Sequence, residues 1–171
     1  MLFRSPDTIQ LYGDGVPLPG QTIQTQSTET GAVATGTTQV PNDDTIPQNT
    51  EGDQYMSQAI TPTSAANVLI VETQAMLAVS SNFRIVGALF QDSTANALAA
   101  AATSGSGFSS AGGPWMARIR KAVLAATTSA TTLKFRAGPD GAATVTFNGE
   151  GGARRYGGVN CSFIRIDELM A

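Results

Sequence analysis

The sequence predicts an all-β fold: a jelly-roll-like β-sandwich, trimeric, preceded by an extended N-terminal arm. Three features lead there. After residue 50, roughly seven or eight short segments alternate apolar and polar residues with period two. Gly, Pro, Asn and Ser turns separate them at fairly regular intervals, the spacing of a sandwich or barrel. Residues 1–50 differ in composition and show no helical spacing. The expected division is therefore an attachment arm at 1–50 and a trimerising sandwich at 51–171.

Within the arm, Thr, Gln, Gly, Pro and Asp dominate. Isolated apolar residues (Ile9, Leu11, Val16, Leu18, Ile23, Val33, Val40, Ile46) are scattered among them. Pro6, Pro17, Pro19, Pro41 and Pro47 block long helices. Such a segment cannot bury a core of its own. Its recurring apolar residues suit an arm that orders on another protein, with Ile9, Leu11, Val16 and Leu18 as the anchors.

The strands follow in order. Tyr55–Thr61 alternates loosely and stops at Pro62. Val68–Val79 carries Leu69, Val71, Ala75, Leu77 and Val79 on one face and a mixed set on the other. Ser80-Ser-Asn82 turns the chain into Phe83–Gln91, apolar on both faces. Ala95–Ala102 is helical by propensity but short, so strand and helix both remain open. A Gly/Ser loop covers 103–113. Pro114–Thr127 sets Trp115, Ala117, Ile119 and Val123 against Arg118 and Arg120. Leu133, Phe135 and Ala137 alternate with Lys134 and Arg136 up to the turn Gly138-Pro-Asp-Gly141. Val145 and Phe147 form a further strand before the turns at Asn148-Gly149 and Gly151-Gly152. Gly157–Leu169 closes the chain, with Ile164 and Ile166 opposite Cys161, Phe163 and Arg165. A domain of this size is expected to need identical neighbours to cover strands that are apolar on both faces.

Composition removes several function classes. Hydrophobic residues make up 42% of the 171, enough for a core, whereas charged residues make up only 13%. Surface polarity must therefore come from hydroxyls, amides and glycine. Net charge is −3 and no Lys/Arg run exists, so no nucleic-acid partner is expected. Arg118, Arg120 and Lys121, then Arg154 and Arg155, are the densest basic groups and read as solvated charges. There is no histidine and one cysteine, Cys161. An intrachain disulfide, a Cys/His zinc site and any histidine-based triad are thereby impossible. Met1-Leu-Phe-Arg-Ser-Pro6 lacks the apolar run of a signal peptide, and no stretch of about 20 apolar residues offers a membrane span. The expectation is a protein made in the cytoplasm, with no membrane partner and no cofactor.

Catalytic motifs are absent too. Gly149-Glu-Gly-Gly-Ala-Arg154 is glycine-rich without the phosphate-loop pattern, and reads as a turn. Asp43-Asp44, with Asn42 and Glu51, could hold calcium or cap a turn, and the turn is favoured. Glu51, Asp53 and Asp92 extend the acidic set without a geometry for glycoside hydrolysis. No enzyme is expected. Cys161 reads as a small buried hydrophobe. Trp115 is open to two readings, an exposed contact for a sugar or packing in the core or trimer interface.

Four stretches together carry a resemblance. Thr35-Gly-Thr-Thr-Gln-Val-Pro-Asn-Asp-Asp-Thr-Ile-Pro-Gln-Asn-Thr-Glu-Gly52 resembles a segment that precedes the C-terminal domain of many tailed-phage fibre and virion proteins. So do Pro62-Thr-Ser-Ala-Ala-Asn67, Ala88-Leu-Phe-Gln-Asp-Ser-Thr-Ala-Asn-Ala-Leu-Ala99, and Thr146-Phe-Asn-Gly149 followed by Arg155-Tyr-Gly-Gly158. The resemblance spans about residues 35–168. It implies a structural protein at the surface of a phage virion, with a trimeric jelly roll. Fibres are usually longer, with a shaft that this chain lacks. That departure favours a head decoration or cement protein contacting the major capsid protein, with a short tail fibre or fibre tip on a host-surface glycan as the alternative.

Overall fold

The computed structural model describes residues 18–103 and 113–171. Twelve strands run in chain order: β1 (Thr22–Thr30), β2 (Ala34–Gly36), β3 (Asp53–Ile60), β4 (Val68–Val79), β5 (Ile85–Gln91), β6 (Ala99–Ala102), β7 (Trp115–Leu124), β8 (Thr131–Pro139), β9 (Val145–Phe147), β10 (Gly149–Glu150), β11 (Ala153–Arg154) and β12 (Ser162–Leu169). One short 3-10 turn covers Tyr156–Gly158, and no α-helix occurs among the described residues.

Ten of the strands form two antiparallel sheets, and β10 and β11 pair as a separate two-stranded hairpin. One has six strands: β1-β12-β4-β9-β2, with β7 on the far side of β4. The other has four, in the order β3-β8-β5-β6. Period-two alternation explains why they stack. The odd-numbered residues of β4 all point inward, and Leu69, Val71, Ala75 and Leu77 are fully buried. Ile164 and Ile166 of β12 and Val145 and Phe147 of β9 join them. Leu133, Phe135 and Ala137 of β8, with Ile85 and Leu89 of β5, close the core from the second sheet. Each large apolar side chain buried this way is worth about 1.5–3 kcal/mol relative to exposure. Gly87 leaves room for the Phe135 ring, which a Cβ there would meet at 3.0 Å.

Two expectations change and one open alternative closes. The arm does not extend to residue 50: β1 pairs with β12 along its length, and β2 pairs with β9. The polar string Thr22–Thr30 hid a strand because an edge strand is held by backbone hydrogen bonds while its side chains stay mostly exposed. Ala99–Ala102 is strand, since register with Leu89–Val86 of β5 outweighs the modest helix propensity of alanine. Finally, the second apolar face of β5 needs no partner subunit. Val86, Ala88 and Phe90 point away from the sandwich core and are buried all the same.

Segment 37–52 lies across that outer side. Val40 is buried with its Cγ2 against the Cα side of Gly138, and its N–H donates to the Pro139 carbonyl at 3.0 Å. Arg136 reaches outward and donates to the carbonyls of Glu51 (2.9 Å) and Gly52 (2.6 Å). The far end ties down through Asn49 N to Ala95 O, Ala97 N to Pro47 O, and the bridge between Gln48 and Asn96. The low charge of the chain is consistent with this self-wrapping, because few ions had to be desolvated.

A candidate interaction face

Among the described residues, the outer side of the six-stranded sheet is covered at one end only. The β10–β11 hairpin folds back over it, Gly152 N donating to Thr146 Oγ1 at 3.0 Å. Met76, Ala78 and Thr146 are buried there. The rest of the face is open, and strand register lays it out as a grid. Leu124, Val68 and Leu169 lie in one row. Ala122, Ile70, Asp167 and Thr25 form the next, then Arg120, Glu72, Arg165 and Ser27, then Arg118, Gln74, Phe163 and Glu29. The first two rows are mainly apolar, with Leu124 60% exposed. The last two are charged and polar around one aromatic ring.

Electrostatics in the charged rows are largely self-satisfied. Arg120 Nε sits 2.8 Å from Glu72 Oε1, and Arg165 Nη2 2.9 Å from Asp167 Oδ1. Asp167 also accepts from Thr25 Oγ1 at 2.6 Å. These are exposed pairs, each worth about 0–1 kcal/mol. Among the described residues, Arg118 has no acidic group in salt-bridge range. Phe163 stands between two hollows of about 320 Å³ and about 380 Å³.

The apolar end adjoins both ends of the described chain. Gly20 N donates to Met170 O at 2.7 Å, and Met170 N returns a bond to Gln21 O. Beneath them Glu168 is fully buried. Its carboxylate accepts from Asn67 Nδ2 (2.6 Å), Thr63 N and Oγ1 (both 2.8 Å) and Gln24 Nε2 (2.9 Å). Burial pushes this carboxyl up, but the hydrogen bonds from Asn67, Thr63 and Gln24 outweigh it and hold it below its ordinary range.

Of the expected anchors, Ile9, Leu11 and Val16 lie outside the described residues. Leu18 is exposed, one turn before β1. Trp115 is half-buried against the sandwich core beside Leu77, so it is no open platform. Asp43 caps a local turn, accepting from Thr45 N at 2.9 Å and from its hydroxyl. Glu51 does the same for Gln48 N at 2.9 Å. Asp92 receives Thr131 Oγ1 and Thr132 N, both at 2.7 Å. Among the described residues no three acidic, cysteine or histidine groups converge on a metal position. Cys161 is exposed, one residue before β12, which corrects its expected burial. Local burial and the neighbouring Glu29 carboxylate push its thiol up. Phe163 escaped sequence reasoning. Its alternation with Ile164 placed it outward, but only cross-strand register shows what surrounds it.

No protein-family model and no curated protein sequence matches the chain. Among solved structures, the Eiger TNF of S. frugiperda aligns with a TM-score of 0.53 at 12% identity, over 88% of this chain and 94% of that one. The chain shares that β-sandwich fold. At 12% identity the likeness concerns fold alone. The subviral particle of infectious bursal disease virus VP2 aligns with a TM-score of 0.40 at 12% identity, over 95% of this chain and 41% of that one, too loosely to argue from.

Proposed function

We propose that the chain is a non-enzymatic structural protein of a phage virion, a homotrimeric decoration or cement protein attached through its N-terminal residues. One observation carries the reading. The chain wraps the outer side of its four-stranded sheet by itself, yet among the described residues nothing fully covers the apolar rows Leu124-Val68-Leu169 and Ala122-Ile70, where Leu124 and Ala122 are exposed and Val68, Ile70 and Leu169 half-buried. Identical neighbours arranged about a threefold axis would finish that face. The residue resemblance over 35–168 supports the virion setting. Gly20 and Gln21 pair with Met170 beside these same rows, so attachment through the N-terminal residues and assembly would meet at one end of the sandwich.

Light scattering on the purified chain tests assembly: three copies are expected, and a stable monomer at micromolar concentration would end the reading. Attachment is tested by removing residues 1–17 and imaging particles. The cut must stop before Thr22, where β1 begins. Trimers lacking the segment should no longer decorate the capsid. A fibre tip that binds host glycan is the second reading, and the aromatic end of the open face favours it.

A further inference from the structure

The polar half of the open face has a composition that trimer assembly does not require. The geometry points to a saccharide-binding site centred on Phe163, occupied by two consecutive sugar units of a neutral glycan. A pyranose has an apolar C–H face and a rim of hydroxyls that both donate and accept. Phe163 supplies an apolar ring between its two hollows. On one side stand Gln74, which donates and accepts, and Arg118, which only donates. On the other stand Ser27, which does both, and Glu29, which only accepts. Such a small set of placed polar groups around an apolar floor is how orientation is imposed on a small ligand.

Charge and spacing narrow the ligand. Three guanidinium groups, Arg118, Arg120 and Arg165, share the face with three carboxylates, Glu29, Glu72 and Asp167. A phosphorylated or polyanionic chain would meet as many like charges as opposite ones, whereas a neutral sugar meets no such conflict. Gln74, Phe163 and Glu29 lie on three adjacent strands, β4, β12 and β1. Their span is about 10 Å at the usual strand spacing, the length of a disaccharide. All are carried on regular strands, so little ordering is needed on binding.

The test is a printed array of neutral bacterial surface glycans, followed by titration of the full chain with the best hit and with chitohexaose and maltohexaose. Wild type should bind at least one of these. Phe163→Ala should weaken binding by about tenfold or more, a loss of about 1.4 kcal/mol. Arg118→Ala, at an exposed position, should weaken it while leaving thermal stability unchanged, which guards against misfolding of the first variant. Absence of binding across the array and both oligosaccharides, or binding indifferent to both substitutions, would overturn the site. So would conversion of trimers to monomers by Phe163→Ala, since a neighbouring copy would then be the occupant.

Discussion

Ser162 donates its hydroxyl proton to the side-chain carbonyl of Asn148, and both residues are fully buried. The pair joins four segments. Ser162 Oγ accepts from Met76 N on β4, while Asn148 Nδ2 donates to the carbonyls of Thr30 (2.8 Å) and Ala32 (3.2 Å). Asn148 also occupies a left-handed backbone position, φ 54°, which asparagine tolerates better than most residues. Asn148→Ala should therefore cost about 2–3 kcal/mol, by leaving the buried Ser162 hydroxyl without its acceptor, removing the bonds to Thr30 and Ala32, and adding backbone strain. Urea unfolding would show a lower midpoint at unchanged slope. Asn148→Gly should cost less, because only the hydrogen bonds are lost.

Glu168 makes stability depend on pH in a defined sense. Its folded-state pKa lies below the unfolded value, so its contribution is complete above about pH 4.3 and is lost as pH falls through the folded value. Thermal melts from pH 6 down to about pH 3 should show a decline that Glu168→Gln flattens. At pH 7 the same substitution should cost about 1–3 kcal/mol, since its one amide group must replace an accepting oxygen and face either Gln24 or the Asn67 and Thr63 donors.

The wrap over the four-stranded sheet depends on Gly138. A Cβ there would collide with the Thr38 carbonyl and press on Gly52 and Val40. Gly138→Ala should lift segment 37–52 while leaving the inner core intact. Hydrogen exchange should then accelerate at Val40 and Gly52, whose amides donate to Pro139 and Gln39 in the native fold. Unchanged protection at both amides would contradict the wrap.

The proposed assembly through the apolar rows makes Leu124 a sensitive point. It is 60% exposed in the single chain, so Leu124→Asp should leave the fold undisturbed. The mass in solution should drop from three chains to one, and the melting temperature should lose its dependence on protein concentration. A trimer that survives the charge would move the interface elsewhere.

Much of the sandwich was legible because burial on one face writes itself as period two. Val68–Val79, Trp115–Leu124 and Ser162–Leu169 each show inward residues on one parity. Thr22–Thr30 was not legible, because strand pairing through the backbone leaves no mark on exposed side chains. The greasy outer face of β5 was visible, but its cover was misassigned to a neighbour. Nothing in the residues around Val40 announces that they return across Gly138.

The amino-acid sequence by itself determined the all-β character, the inward faces of the strands and the absence of histidine-based chemistry. These follow from side-chain identity and local alternation alone. Tertiary structure decided that Thr22–Thr30 and Ala34–Gly36 pair into the sheet, which apolar faces the chain covers for itself, and that Phe163 stands between Gln74 and Glu29. Those depend on pairing between residues far apart in the chain, whose energy comes from backbone hydrogen bonds and burial that no local pattern records.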